Sequence, residues 1–231
     1  LRMLIAEHFF LIACDPRSGM LTWPRRDQDA GELVAASLLV DLAAHERVHL
    51  HDGLLRTDSQ LPSNYPLLGE AMHLLAEEKT IVAGGIDLIA RKMSPLPPKI
   101  LDALFRRDFM HRIEYRDWRL RRRLRYPLRS VQARNEALKS LQSAAHADDP
   151  HGLALLMMAD VTGVLAKHLN AHDHAPAVQR LLALNHVETW APQSMRVLAA
   201  VRDALLALVK KPRIACCASV VARLAHPAAR P

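Results

Sequence analysis

Apolar residues recur at three- and four-residue spacing along most of the chain, the period of an amphipathic helix. Leu1, Leu4, Ile5, His8, Phe9 and Ile12 share one face of a first predicted helix, and Asp15-Pro16-Arg17-Ser18-Gly19 then supplies turn residues before a short extended piece, Leu21-Thr22-Trp23. Asp29 followed by Glu32 has the spacing of a capping box, and an apolar-rich helix runs from Gly31 to Ala44. Leu68, Ala71, Met72 and Leu75 predict a third helix, Ile81, Leu88 and Ile89 a fourth, and Ile100, Leu101, Leu104 and Phe105 a fifth. Pro95, Pro97 and Pro98 separate the last two, because proline ends one helix and is tolerated in the first turn of the next.

Two stretches break this period. Arg47-Val48-His49-Leu50-His51 alternates with period two and meets Asp52-Gly53, a pair suited to the positive backbone angles of a tight hairpin, with Leu54 to Thr57 as the return strand. Met110 to Arg123 predicts a second hairpin, strongly basic, with its turn at Arg116-Asp117. From Val131 onward the pattern is helical again: Leu138, Leu141 and Ala145, then Leu153 to Leu169, Val178 to Leu184, Met195 to Val209 and Ile214 to Leu224. Asp148-Asp149-Pro150 marks a loop or the one candidate domain seam. The expected architecture is mainly α: a compact single-domain helical bundle over 1–231 with two peripheral β-hairpins.

Composition adds a sign to this picture. Half of the 231 residues are hydrophobic and 24% charged, as in a packed globular protein, and a formal charge of +7 makes polyanions the natural partners. No apolar run is long enough to span a bilayer, since the best candidate, Leu153 to Ala166, is short and contains Asp160. Glu7, His8 and Asp15 interrupt the apolar N-terminal stretch, so no signal peptide is expected. Cys14, Cys216 and Cys217 are odd in number and two are adjacent, which fits buried thiols in a reducing compartment.

The order of elements and several local runs resemble the Golgi phosphoprotein 3 family, whose yeast member is a vacuolar sorting protein. The resemblance rests on Leu4-Ile5-Ala6-Glu7-His8-Phe9-Phe10-Leu11-Ile12, on Leu38-Leu39-Val40-Asp41-Leu42-Ala43 leading into Arg47-Val48, and on Leu67-Leu68-Gly69-Glu70-Ala71. Ala103-Leu104-Phe105-Arg106-Arg107 and Asp149-Pro150-His151, opening the helix with Leu153, Ala154 and Leu155, extend it over roughly Leu4 to Leu184. It implies a helical domain that docks on membranes through phosphatidylinositol 4-phosphate, and in eukaryotic members holds cytosolic tails of Golgi glycosyltransferases. The location implied is cytoplasmic and peripheral to the membrane, on the cytosolic face of the Golgi in a eukaryotic cell.

The family's headgroup-binding Trp falls on Trp23. Its pocket arginine on the following helix falls near Ala35, and the pair before the Leu104 helix falls near Ser94 and Pro97, with Arg25, Arg26, Lys92 and Lys99 close by in sequence as substitute cations. The resemblance also implies self-association through the 110–123 hairpin. Read on its own chemistry, that hairpin presents Arg112, Arg116, Arg119, Arg121, Arg122 and Arg123 with Tyr115 and Trp118 interleaved, a basic surface suited to an anionic leaflet.

Other chemistry is weaker. His168 and His172 stand one helical turn apart beside Asp173 and His174, yet no third acidic ligand completes the spacing, and no metal or cofactor is expected. Gly84-Gly85 lacks the strand and lysine of a phosphate loop, and no nucleophile signature appears, so an enzyme is not expected. Two helices followed by a basic hairpin, Ile81 through Arg123, also describe a winged helix-turn-helix, the alternative reading as a nucleic-acid-binding protein. Asp102 and Asp108 on its would-be recognition helix disfavour nucleic acid. A scaffold for other proteins is a third reading, and no residue identifies its clients.

Overall fold

The structure, a computed structural model, describes residues 3–21, 30–58, 65–147, 149–188 and 190–210. Its centre is built from helices with almost no polar face. In α1 (Ile5–Ala13) every residue but His8 is buried, and Phe9 and Phe10 are fully so. The middle of α2 (Ala30–Ala44), from Leu33 to Ala43, and most of α7 (Pro150–Thr162) are buried on all sides. A helix apolar all round has to be wrapped by other elements. Around these three pack α3 (Pro66–Glu77), α4 (Val82–Lys92), α5 (Leu96–Arg106), α6 (Val131–Ala144), α9 (Ala171–Ala183) and α10 (Gln193–Lys210), with α2 touching α1, α3, α4, α5, α7 and α10. Truncating Phe9 or Phe10 to Ala would cost about 3–5 kcal/mol.

Burying α1 up to its first turn creates a polar requirement, because the leading N–H groups of a helix have no partner within it. Two carboxylates supply partners: Glu7 Oε2 accepts the Leu4 N–H at 2.9 Å, and Asp41 Oδ2, from α2, accepts the Ile5 N–H at 3.0 Å. Arg107, just past α5, donates to Glu7 Oε2 at 2.8 Å. His151, in the first turn of α7, brings Nε2 to 3.3 Å from His8 Nδ1 and Nδ1 to 3.9 Å from Asp41 Oδ1. One polar network thus ties α1, α2, α5 and α7 together. Burial pushes the Glu7 carboxyl up from its ordinary value, against the Leu4 N–H and Arg107, which pull it down.

The first hairpin is as expected: β1 (Val48–His51) pairs with β2 (Leu54–Thr57), and Asp52 and Gly53 turn with φ of 51° and 75°. Pro97 and Pro98 occupy the opening turn of α5, as the spacing predicts. Three expectations shift. The first helix begins at Ile5. The predicted helix Leu153–Leu169 breaks at Gly163, whose φ of 77° caps α7, before a short α8 (Leu165–His168). Val178–Leu184 is only the second half of α9, which starts after Asn170 accepts the Asp173 N–H and so caps it. Asp149 is a helix cap, accepting the Gly152 N–H at 2.9 Å with Pro150 in the first turn, and α6 packs directly on α7 across it. Cys14 is buried and its thiol is pushed up to about 12 by that burial. The Asp29 cap, Thr22, Trp23, Cys216, Cys217 and the Ile214–Leu224 pattern lie outside the described residues.

Gly19 joins the turn after α1 to the chain that follows the second hairpin. Its φ is 66°, and a Cβ there would stand 2.1 Å from the backbone carbon of Tyr126, too close for any side chain. Gly19→Ala is expected to lower stability by about 2–4 kcal/mol in urea denaturation. The folded chain holds the Glu7 proton more tightly than the unfolded chain does. Stability tied to that proton is therefore complete below the unfolded value of 4.5 and is lost as pH rises through the folded one. Glu7→Gln, which cannot ionise, is expected to fall further below wild type at about pH 4 than at about pH 7, read from urea midpoints at the two pH values.

Candidate functional site

The second hairpin pairs β3 (Ile113–Arg116) with β4 (Arg122–Arg125), with Arg116 opposite Arg122. Its turn therefore spans the five residues from Asp117 to Arg121, and not Arg116-Asp117 as the sequence suggests. Asp117 makes that loop: its Oδ1 accepts the N–H groups of Arg119 and Arg121, each at 2.9 Å, and its backbone N–H bonds the Arg121 carbonyl at 3.0 Å. Leu120 takes the left-handed conformation, φ 58°, that closes the loop. The Arg121 N–H, helped by Arg123 and Arg119, holds the Asp117 carboxyl below the usual carboxylate range.

The hairpin stands away from the helices. All of β4 and all of β3 except the half-buried Tyr115 are exposed, and at the tip Trp118 is 84% and Leu120 74% exposed. Its root is firm. Tyr126 is buried and donates its hydroxyl to Asp102 at 2.8 Å, so that burial and then the carboxylate push the phenol up to about 12. The Leu128 N–H bonds the Pro16 carbonyl, and the His111 N–H bonds the Pro127 carbonyl. The result is a projecting hairpin anchored at its root, with Trp118 and Leu120 exposed at its tip.

Seven arginines lie between 110 and 125, against Glu114 and Asp117. Some are engaged: Arg122 pairs with Glu114 at 3.3 Å, Arg123 with Asp117 at 3.4 Å and Arg112 with Asp102 at 3.8 Å. The Arg125 guanidinium lies over the Tyr115 ring at 4.0 Å, and Arg119 lies over Trp118 at 4.4 Å. Among the described residues no carboxylate pairs with Arg116, Arg119 or Arg121, so the tip carries uncompensated positive charge.

The positions that the resemblance assigns to a headgroup pocket fall elsewhere. Ser94 and Pro97 line a cleft of ≈ 460 Å³ with Glu32, Asp87, Arg91 and Leu96, so among the described residues its ionisable groups are two carboxylates and one arginine. That Arg91 is bound by Asp87 at 2.8 Å. Ala35 is buried and offers no charge. Lys99 is held by Glu70 at 3.2 Å, whereas Lys92 is exposed at the end of α4. Trp23, Arg25 and Arg26 lie outside the described residues. Sequence reasoning counted the arginines of the hairpin and undervalued Leu120, an apolar residue between two arginines in a turn, where no core can claim it.

The fold and this surface define a mainly helical protein with a projecting, positively charged hairpin. Over residues 5–222 the sequence matches the family model for Golgi phosphoprotein 3 (GPP34), and the chain belongs to that family. No curated protein matches it. Among the described residues no helix is long and apolar enough to cross a membrane.

Asp117→Ala removes the acceptor of both loop N–H groups. In hydrogen–deuterium exchange the amides of Arg119 and Arg121 are expected to exchange faster in this variant, with α1, α2 and α7 unchanged.

Proposed function

We propose that this protein is a peripheral membrane protein that binds anionic phospholipid, with phosphatidylinositol 4-phosphate as the candidate headgroup, and acts without catalysis as an adaptor that holds other proteins at that surface. One observation carries the reading: Trp118 and Leu120 project from the hairpin tip amid Arg116, Arg119 and Arg121, which pair with no carboxylate among the described residues. An aromatic ring and an aliphatic chain at a bilayer interface leave water for the headgroup and acyl boundary, while guanidinium groups beside them meet phosphate. Each arginine near an anionic leaflet contributes about 1 kcal/mol, so Arg116, Arg119 and Arg121 together supply several without any enclosed pocket.

Membership of the family supports a second, headgroup-selective contact at Trp23, with Arg25 and Arg26, close by in sequence, and the exposed Lys92 as substitute cations. Self-association through the same hairpin competes with membrane contact for the same side chains. The winged-helix alternative is weakened by Asp102, which sits at the hairpin root bound to Tyr126 and Arg112 and adds negative charge where a duplex would lie.

Vesicle flotation tests the reading with phosphatidylcholine alone or mixed with phosphatidylinositol, its 4-phosphate or phosphatidylserine. Trp118→Ala combined with Leu120→Ala is expected to lower partitioning onto anionic vesicles about tenfold or more with Tm unchanged, since both side chains are exposed. Trp23→Ala with Arg25→Ala is expected to abolish only the preference for the 4-phosphate. Wild-type binding by the hairpin variant would exclude the tip as the contact. Tight, salt-sensitive binding to duplex DNA in place of vesicles would favour the nucleic-acid reading.

A further inference from the structure

The sequence pairs His168 with His172 by helical spacing, but the fold brings a different partner. His146, just past the end of α6, meets His172 and Asp173 in the first turn of α9. His146 Nε2 lies 2.8 Å from Asp173 Oδ1, and His172 Nδ1 lies 3.3 Å from the same oxygen. His146, His172 and Asp173 each offer one ligating atom, and the three atoms fall within 4.8 Å of one another. In a tetrahedral zinc site with bonds of about 2.0–2.1 Å, neighbouring ligand atoms stand about 3.3 Å apart. The two edges that meet at Asp173 Oδ1, 2.8 and 3.3 Å, are already near that figure.

We propose that His146, His172 and Asp173 form a binding site for a divalent transition metal of the zinc class, linking the C-terminal end of α6 to the start of α9. Two imidazoles and one carboxylate suit zinc, cobalt, nickel or copper, and not calcium or magnesium, which take oxygen ligands. His146 would bind through Nε2 and His172 through Nδ1, the ring nitrogens that face Asp173 Oδ1, and the fourth position stays open to water. Both rings are exposed, so the small closure required meets no packed core. Asp173 is held for the task by its place in α9, where its N–H donates to Asn170 Oδ1 at 2.8 Å and its carboxylate offsets the positive end of the helix.

Tag-free full-length protein titrated with zinc chloride in a calorimeter, and with cobalt chloride by visible absorption, tests the site without lipid. Its outcome is therefore independent of the membrane reading. One saturable equivalent is expected at micromolar affinity, with a rise in Tm of about 3–6 °C at saturating zinc. His146→Ala and His172→Ala should each weaken binding by about tenfold or more, while His174→Ala, exposed on the same helix and outside the cluster, leaves it unchanged. With thirteen histidines in the chain, diffuse weak binding that survives both His146→Ala and His172→Ala would overturn the proposal. So would the absence of saturable binding below about 100 μM, an affinity too weak for a three-ligand site.

Discussion

The amino end of α1 is buried, and the rest of the molecule is arranged to make that tolerable. A helix that starts inside a protein leaves N–H groups that water cannot reach, and each one left unpaired costs about 1–3 kcal/mol. Glu7 and Asp41 accept those hydrogens. Two carboxylates placed in an apolar centre then need partners of their own, and Arg107, His151 and His8 converge on them from α5, α7 and α1. α2, α5 and α7 are thereby held in register against α1, since sliding any of the three would strand a charge in the core.

That constraint reaches the surface through the chain on either side of it. α1 leads into the Asp15 turn, and Gly19 in that turn lies against the Tyr126 backbone so closely that no side chain fits between them. Arg107 closes α5, and the residues after it lead directly into β3. The second hairpin thus grows from two strands of backbone anchored beside the buried core. It can hold Trp118 and Leu120 in water because its root, and not its tip, carries the packing.

At the other side of α6, loosely packed side chains meet where two helix ends come together. His146 follows α6 and His172 opens α9, so neither depends on the core for its position. The hairpin and this cluster share a principle: groups left outside the buried network keep the freedom to bind something else.

Periodicity in the sequence was enough to read α1 to α6 and α10, because the helical repeat of apolar residues is a local property and the core demands it. The Asp52-Gly53 hairpin and the proline-marked start of α5 were legible for the same reason, since turn geometry is decided by the residues in the turn. The break at Gly163 and the loop from Asp117 to Arg121 were not. Apolar residues continue past Gly163 although the backbone turns there, and the hairpin loop depends on one carboxylate bonding N–H groups two and four residues on. Family membership was readable from ordered runs of residues spread through the chain. The polar network around α1 and the meeting of His146 with Asp173 join residues from 27 to 143 positions apart. Contacts over such separations leave no periodic trace in a single sequence, so only the packing of the helices decides them.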